Sequence, residues 1–203
     1  MRVVLASRSP RRRDLLERIG IFPEVMPANI DESQRANESA THYVQRLSQE
    51  KVQKIADELG VTSNVVFLGA DTCVELDGVV HDQPEDREAA RRTLSILSGR
   101  THQVHTAVTC LSEKGSTTII DTARVTMVPI STHLMEWYLD TGESYGKAGA
   151  YGMQGFGGVL VERVQGSMST VIGLPLAPTA HLLRVLGAVC PDLRDIPRRE
   201  PSS

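Results

Sequence analysis

The sequence predicts an α/β fold: a mixed, twisted sheet with helices on its flanks, set in two lobes about a central cleft. Three observations carry this. Short apolar runs alternate along the chain with segments of helical period. VVFLGAD at 65–71 is almost continuously apolar, as a strand covered on both faces must be. Turn signals at Asp77–Gly78 and Lys114–Gly115 stand between β-type runs, so some neighbours are antiparallel and the sheet is not all-parallel.

The elements follow in order. RVVLA at 2–6 is a short apolar strand. A helix begins behind Ser9 as N-cap and Pro10 at its first position, buries Leu15, Leu16 and Ile19, and stops at Gly20. A longer helix covers 39–59 and ends at Gly60. After the strand 65–71, TCVEL, the Asp77–Gly78 turn and VV read as a hairpin. EDREAARRTLSIL at 85–97 is a helix, acidic early and basic later as its dipole prefers, with Ala90, Leu94 and Leu97 inward. Residues 103–111 and 117–128 form an antiparallel pair, 132–140 a short helix before Gly142, VLVERV at 159–164 a strand, and 176–186 a last helix behind Pro175. YGKAGAYGMQGFGG at 145–158 is rich in glycine and has no period. One domain is expected over 1–190, with 191–203 a disordered tail lacking an apolar pattern.

Composition narrows the class. The chain has 203 residues, 40% hydrophobic and 23% charged, with net charge −3. An acidic molecule has no electrostatic reason to coat a nucleic acid, and no stable nucleic-acid partner is expected. No run approaches the roughly 20 apolar residues that span a bilayer, so no membrane partner is expected. VVLA is too short for the apolar part of a secretory signal, which makes a cytoplasmic location the expectation. Cys73, Cys110 and Cys190 are too scattered for a disulfide framework or a zinc site and read as small buried hydrophobes.

Four arginines, Arg8, Arg11, Arg12 and Arg13, crowd into LASRSPRRRDLL where the first strand ends. They need solvent, acidic neighbours or an anion. In the first turn of a helix a cation opposes the dipole by about 0.3–1 kcal/mol if exposed, whereas a phosphate reverses that sign. A solvated turn paired with Asp14 or Glu17 is the plainer alternative. Leu47, Lys51, Ile55 and Leu59 recur every four residues, so Lys51 interrupts an apolar stripe. Either its stem snorkels to the surface or its ammonium enters a cleft. Asp71 closes an apolar strand, at the boundary where α/β proteins carry active groups. It is a turn acceptor, a metal ligand or a general base. Asp31 and Glu32 read by themselves as loop surface. Cations for phosphates and separated carboxylates for a hard divalent ion suit phosphoryl chemistry, and no P-loop segment is present. His102 and His105, three apart in a strand, point to opposite faces and form no metal pair, while Tyr145 and Tyr151 fit either base stacking or core packing.

From Val3 to about Leu186 the chain resembles the Maf family of nucleoside triphosphate pyrophosphatases. The resemblance rests on LASRSPRRRDLL, Glu32, the Lys51 of RLSQEK, LGADTCVELDG, LSGRTHQVHTAV, GESYGKAGAYGMQG and GLPL in family order. It implies a Maf/ITPase-like two-lobed fold with a nucleotide in the cleft, usually as a homodimer. The implied reaction splits a nucleoside triphosphate into monophosphate and pyrophosphate with Mg²⁺ or Mn²⁺. By the same resemblance Ser7, Ser9, Arg11 and Arg12 meet the phosphates, Lys51 assists, Glu32 and Asp71 hold the metal, and Asp71 is the proton acceptor. Thr72 lies beside it, and Lys147 and Gln154 line the nucleotide site. GADT and the AYGMQG glutamine resemble the branch acting on dTTP and UTP, with modified pyrimidine triphosphates a further class. The 7-methyl-GTP branch and a non-hydrolysing nucleotide-binding regulator are the alternatives. One departure stands out: VVHDQP puts Gln83 where the family has a phosphate-facing lysine.

Overall fold

The computed structural model describes residues 1–188. Cys190 and the expected tail at 191–203 lie outside the described residues. Among the described residues seven strands form one sheet: β1 Arg2–Leu5, β2 Glu24–Val25, β3 Val65–Leu76, β4 Val79–His81, β5 Thr101–Ser112, β6 Gly115–Met127 and β7 Val161–Gln165. The order is β2-β1-β3-β5-β6-β7, with β4 also on β3. β1 pairs parallel with β2 and β3, and all other pairings are antiparallel. The mixed sheet is therefore as expected from the two hairpins.

Six α-helices accompany it among the described residues: α1 Pro10–Arg18, α2 Ala40–Leu59, α3 Arg87–Leu97, α4 Thr132–Asp140, α5 Met168–Ile172 and α6 Leu176–Val185. Period-2 alternation on β1 and β3 sorts the core. Val4, Ala6 and Phe67 meet Val52 and Ile55 of α2 on one face. Leu5, Leu68 and Ala70 meet Leu15 and Leu16 of α1 and Leu182 and Leu183 of α6 on the other. Toward the far end of the sheet, Val74, Val104, Val125 and Met127 pack with α3 and α4 through Leu94, Leu97, Tyr138 and Leu139.

Several expectations change in detail. The run 65–71 and the TCVEL that follows are one twelve-residue strand, so Asp71 lies within β3 instead of at its end. Ser9 occupies the N-cap of α1 but makes no side-chain capping bond; its amide donates to Ser7 Oγ at 3.2 Å. Leu59 is 41% exposed. A four-residue spacing advances about 40° per step on a 3.6-residue helix, so by Leu59 the stripe has rotated about 120° from Leu47. Asp86 caps α3 by accepting from the Ala89 amide at 2.6 Å, which leaves Glu85 before the helix. Val159 and Leu160 belong to a 3-10 turn, and β7 starts at Val161. β2 and α5, two and five residues long, are too short to show a period.

Candidate active site

The site sits where β3 changes partners. β1 stops at Leu5, opposite Leu68, and β4 begins only at the Val74–His81 pair. Between them, Gly69 to Cys73 pair with β5 alone, and the other edge opens into a cavity of about 670 Å³.

Gly69 lets α2 come close to this edge. A Cβ there would stand 2.6 Å from the Ser48 carbonyl oxygen and 2.6 Å from Val52 Cγ2. Glycine is required here for room, not for its backbone angles. The close approach brings Lys51 over Asp71, two residues further along the same face of β3. Lys51 Nζ donates to Asp71 Oδ1 at 2.7 Å and pairs with Glu32 Oε1 at 3.1 Å. Lys51 and Asp71 are each 6% exposed, whereas the Glu32 side chain is 49% exposed. Lys51 therefore does not snorkel, and Glu32 is more than loop surface: its carboxylate shares the ammonium. Burial pushes the Asp71 carboxyl above the usual carboxylate range, opposed by Lys51 and Arg12.

The four arginines divide the work. Arg13 pairs on the surface with Glu17 at 2.6 Å. Arg8 donates to Asn29 Oδ1 and Arg11 to the Gly146 carbonyl at 3.3 Å, both on the cavity wall. Arg12 is buried on the sheet face opposite α2. Its Nε donates to the Gly173 carbonyl at 2.9 Å, Nη1 to Ser7 Oγ at 3.1 Å and Nη2 to Thr72 Oγ1 at 3.0 Å. Arg12 and Lys51 thus reach neighbouring residues, 72 and 71, from the two sides of the sheet.

All the predicted residues border the one cavity: Ser7, Ser9, Arg11, Arg12, Glu32, Lys51, Asp71, Thr72, Gln83, Lys147 and Gln154. Gln83 and Gln154 both line the cavity and are exposed. Lys147 Nζ donates to the Glu143 carbonyl; burial, then Arg11, lower the lysine's pKa. Tyr151 lines the cavity and also belongs to the core, while Tyr145 is exposed. The histidines stay apart as expected: His102 Nε2 bonds to the Tyr151 hydroxyl at 2.8 Å, and His105 bonds to Thr122 and Glu75 at 2.8 and 3.0 Å.

A family model described as Maf-like protein matches residues 2–186, nearly all of the described chain. The chain belongs to the Maf family. One relative, the dTTP/UTP pyrophosphatase of Methylobacillus flagellatus, is 45% identical over 194 residues, which is 96% of this chain and 97% of that protein. The dTTP/UTP pyrophosphatase of an Anaeromyxobacter strain (Fw109-5) is 46% identical over 196 residues, covering 94% and 92%. A solved nucleoside-triphosphatase / dITP/XTP pyrophosphatase from Mycobacterium abscessus aligns with 92% of this chain and 94% of its own at TM-score 0.46 and 16% identity, too loose a likeness to carry weight.

In this Maf chain, three residues that matter to the site escaped the sequence reading. Tyr43 donates to the Glu32 carbonyl at 2.8 Å and so ties down the loop carrying that acid. Its position one turn before Leu47 on the α2 stripe was the available signal. Thr106 bonds Thr72 from the next strand at 2.9 Å, a relation visible only in the register. Glu143 lies in the turn after α4 and reaches the glycine-rich segment.

Proposed function

We propose that this chain hydrolyses nucleoside triphosphates, dTTP and UTP foremost, to the monophosphate and pyrophosphate with the help of a divalent cation. The observation that carries the reading is the Glu32–Lys51–Asp71 cluster at the floor of a cavity whose wall bears Arg8, Arg11 and Lys147. Relatives of nearly equal length and over 40% identity that are named dTTP/UTP pyrophosphatase support the substrate class.

The donor set fits a hard divalent ion. Lys51 Nζ lies within 3.1 Å of both carboxylates, so one cation already gathers them about a single point. Among the described residues no group of three or more His, Cys, Asp or Glu side chains gathers for a metal. Two carboxylates from the protein, with phosphate oxygens completing the shell, is the arrangement that Mg²⁺ and Mn²⁺ accept. Glu32 and Asp71 would hold the ion, which when bound offsets phosphate charge.

The chain's own groups do the rest. Arg11 and Lys147 draw the polyphosphate into the cavity, and Ser7, Ser9 and the Arg12–Thr72 pair border its path. A carboxyl with a raised pKa is a better proton acceptor than an ordinary carboxylate, which supports Asp71 as the group that takes a proton from the attacking water. Stabilising charge on the departing pyrophosphate is the larger task, and it falls to the cationic wall. Gln154, also on the cavity wall, offers an amide whose N–H and C=O match the O4 and N3–H edge of uracil or thymine. Gln83 contributes no charge where a lysine would have added one.

A panel of triphosphates with Mg²⁺ or Mn²⁺, scored separately for pyrophosphate and orthophosphate, tests the reading. Monophosphate plus pyrophosphate is expected, fastest with UTP or dTTP. Orthophosphate alone would refute α–β cleavage, and a preference for 7-methyl-GTP would move the chain to the other branch. Asp71→Asn should lower kcat by about 10²–10⁴ while triphosphate binding persists.

A further inference from the structure

The segment 152–157, GMQGFG, closes around a carboxylate. Gly142, with φ of 69°, turns the chain after α4 so that Glu143 points back into this segment. Its Oε2 accepts the Phe156 amide at 2.5 Å and its Oε1 the Gly157 amide at 3.4 Å. A Cβ on Gly152 would stand 2.5 Å from Oε1, and one on Gly155 would overlap Oε2. Neither glycine has a positive φ; a Cβ at either would displace the Glu143 carboxylate, and at Gly152 the Lys147 stem as well. The backbone carbonyl of the same glutamate accepts the Lys147 ammonium. Between the two glycines stand Met153 and Gln154, both facing the cavity.

We infer that Glu143 is a positioning residue for base selection: its carboxylate fixes the loop that presents Gln154. The inference rests on the proposed reading of Gln154 as the group that meets the base. Gln154 is exposed and hangs on a segment with glycines at 152, 155, 157 and 158, each conformationally permissive. An amide on such a backbone discriminates between bases only if the backbone is held. Bonds from two N–H groups to one ionised carboxylate supply that hold, and they are stronger than bonds to a neutral acceptor. Glu143 itself need not touch the nucleotide.

The test is Glu143→Gln, which keeps the size but removes the charge and offers an NH₂ where an acceptor was. Hydrogen exchange at the Phe156 and Gly157 amides should quicken about tenfold or more, as loss of a bond worth about 1.4 kcal/mol would produce. The kcat/KM ratio of UTP to ATP, CTP and GTP should fall by a similar factor. In a Gln154→Ala background Glu143→Gln should leave that ratio where Gln154→Ala set it. Gly155→Ala, which forces the carboxylate out from the exposed side of the loop, should reproduce both effects and guards against a misfolded first variant. Unchanged exchange, or a ratio that survives faster exchange, overturns the inference alone. A wild-type chain with no preference for UTP or dTTP overturns the reading of Gln154, and the inference with it.

Discussion

Thr106 is fully buried and donates to the Thr170 carbonyl at 2.8 Å. Its only hydroxyl proton is thereby committed, so in the 2.9 Å contact with Thr72 it accepts. Thr72 donates its proton there and accepts from Arg12 Nη2, because a guanidinium can only donate. The carbonyl fixes the direction of two hydrogen bonds and the guanidinium that of the third, and together they turn the Thr72 lone pairs toward the arginine. Thr106→Val keeps the shape but removes one of the two donors to the Thr170 carbonyl, which still accepts from the Gly173 amide at 3.1 Å, at a cost of about 0.5–1.5 kcal/mol. It also frees the Thr72 proton to turn against Arg12. Urea denaturation should register the first effect and a several-fold rise in KM for the triphosphate the second, with Thr106→Ser recovering both. An unchanged KM in a destabilised variant would mean that Arg12 keeps its alignment without this relay.

Strand β3 and helix α2 decide the geometry of the cluster together. With no side chain at Gly69, Ser48 Oγ reaches Thr109 Oγ1 at 2.8 Å, and Thr109 in turn reaches Thr118 at 2.9 Å. This polar row crosses from α2 over β5 to β6, one turn before Lys51. Gly69→Ala would drive a methyl into the Ser48 carbonyl and Val52, a crowding worth about 1–3 kcal/mol. It would also lift Lys51 away from Asp71. Stability by urea titration should fall by that amount and kcat by about tenfold or more. A variant as stable and active as wild type would show that α2 can shift freely. From sequence, this segment displayed its hydrophobicity and its punctuation clearly. Length was harder to read: the β3 strand runs through the Asp71 carboxylate, because a polar residue facing a cavity need not end a strand.

Acid sensitivity belongs to the whole molecule, since it reports global unfolding. His102 is 1% exposed, its Nε2 is taken by Tyr151, and its Nδ1 has no partner within the described structure. Burial, then His81, holds its pKa down at about 4 from the usual 6.5. The unfolded chain therefore binds a proton between pH 6.5 and 4 that the folded chain refuses. The stability that a neutral His102 contributes is complete above pH 6.5 and is lost as the pH falls toward 4, on the order of 3 kcal/mol. Replacing it with Gln, which still bonds Tyr151 but does not titrate, should flatten the stability curve in that window. Urea midpoints at pH 7 and pH 4.5 measure this. Equal slopes for both proteins would place the proton uptake elsewhere.

Period and punctuation alone determined the mixed sheet, its hairpins at 77–78 and 114–115, and the helices behind Pro10, before Gly60 and before Gly99. Each of these signals is local, set by neighbours a few residues apart. The basic turn, Lys51 and Asp71 also stood out by themselves, as charges set against apolar surroundings. What the sequence left open was which charges meet. That depended on contacts between residues 20 to more than 100 positions apart: Lys51 on Asp71, Arg12 on the Gly173 carbonyl, Arg11 on Gly146. Only the tertiary structure made Glu32 a partner of Lys51, kept Arg13 on the surface and wrapped two glycines around Glu143. Register and packing fix these distances, and neither is written in any single stretch of the chain.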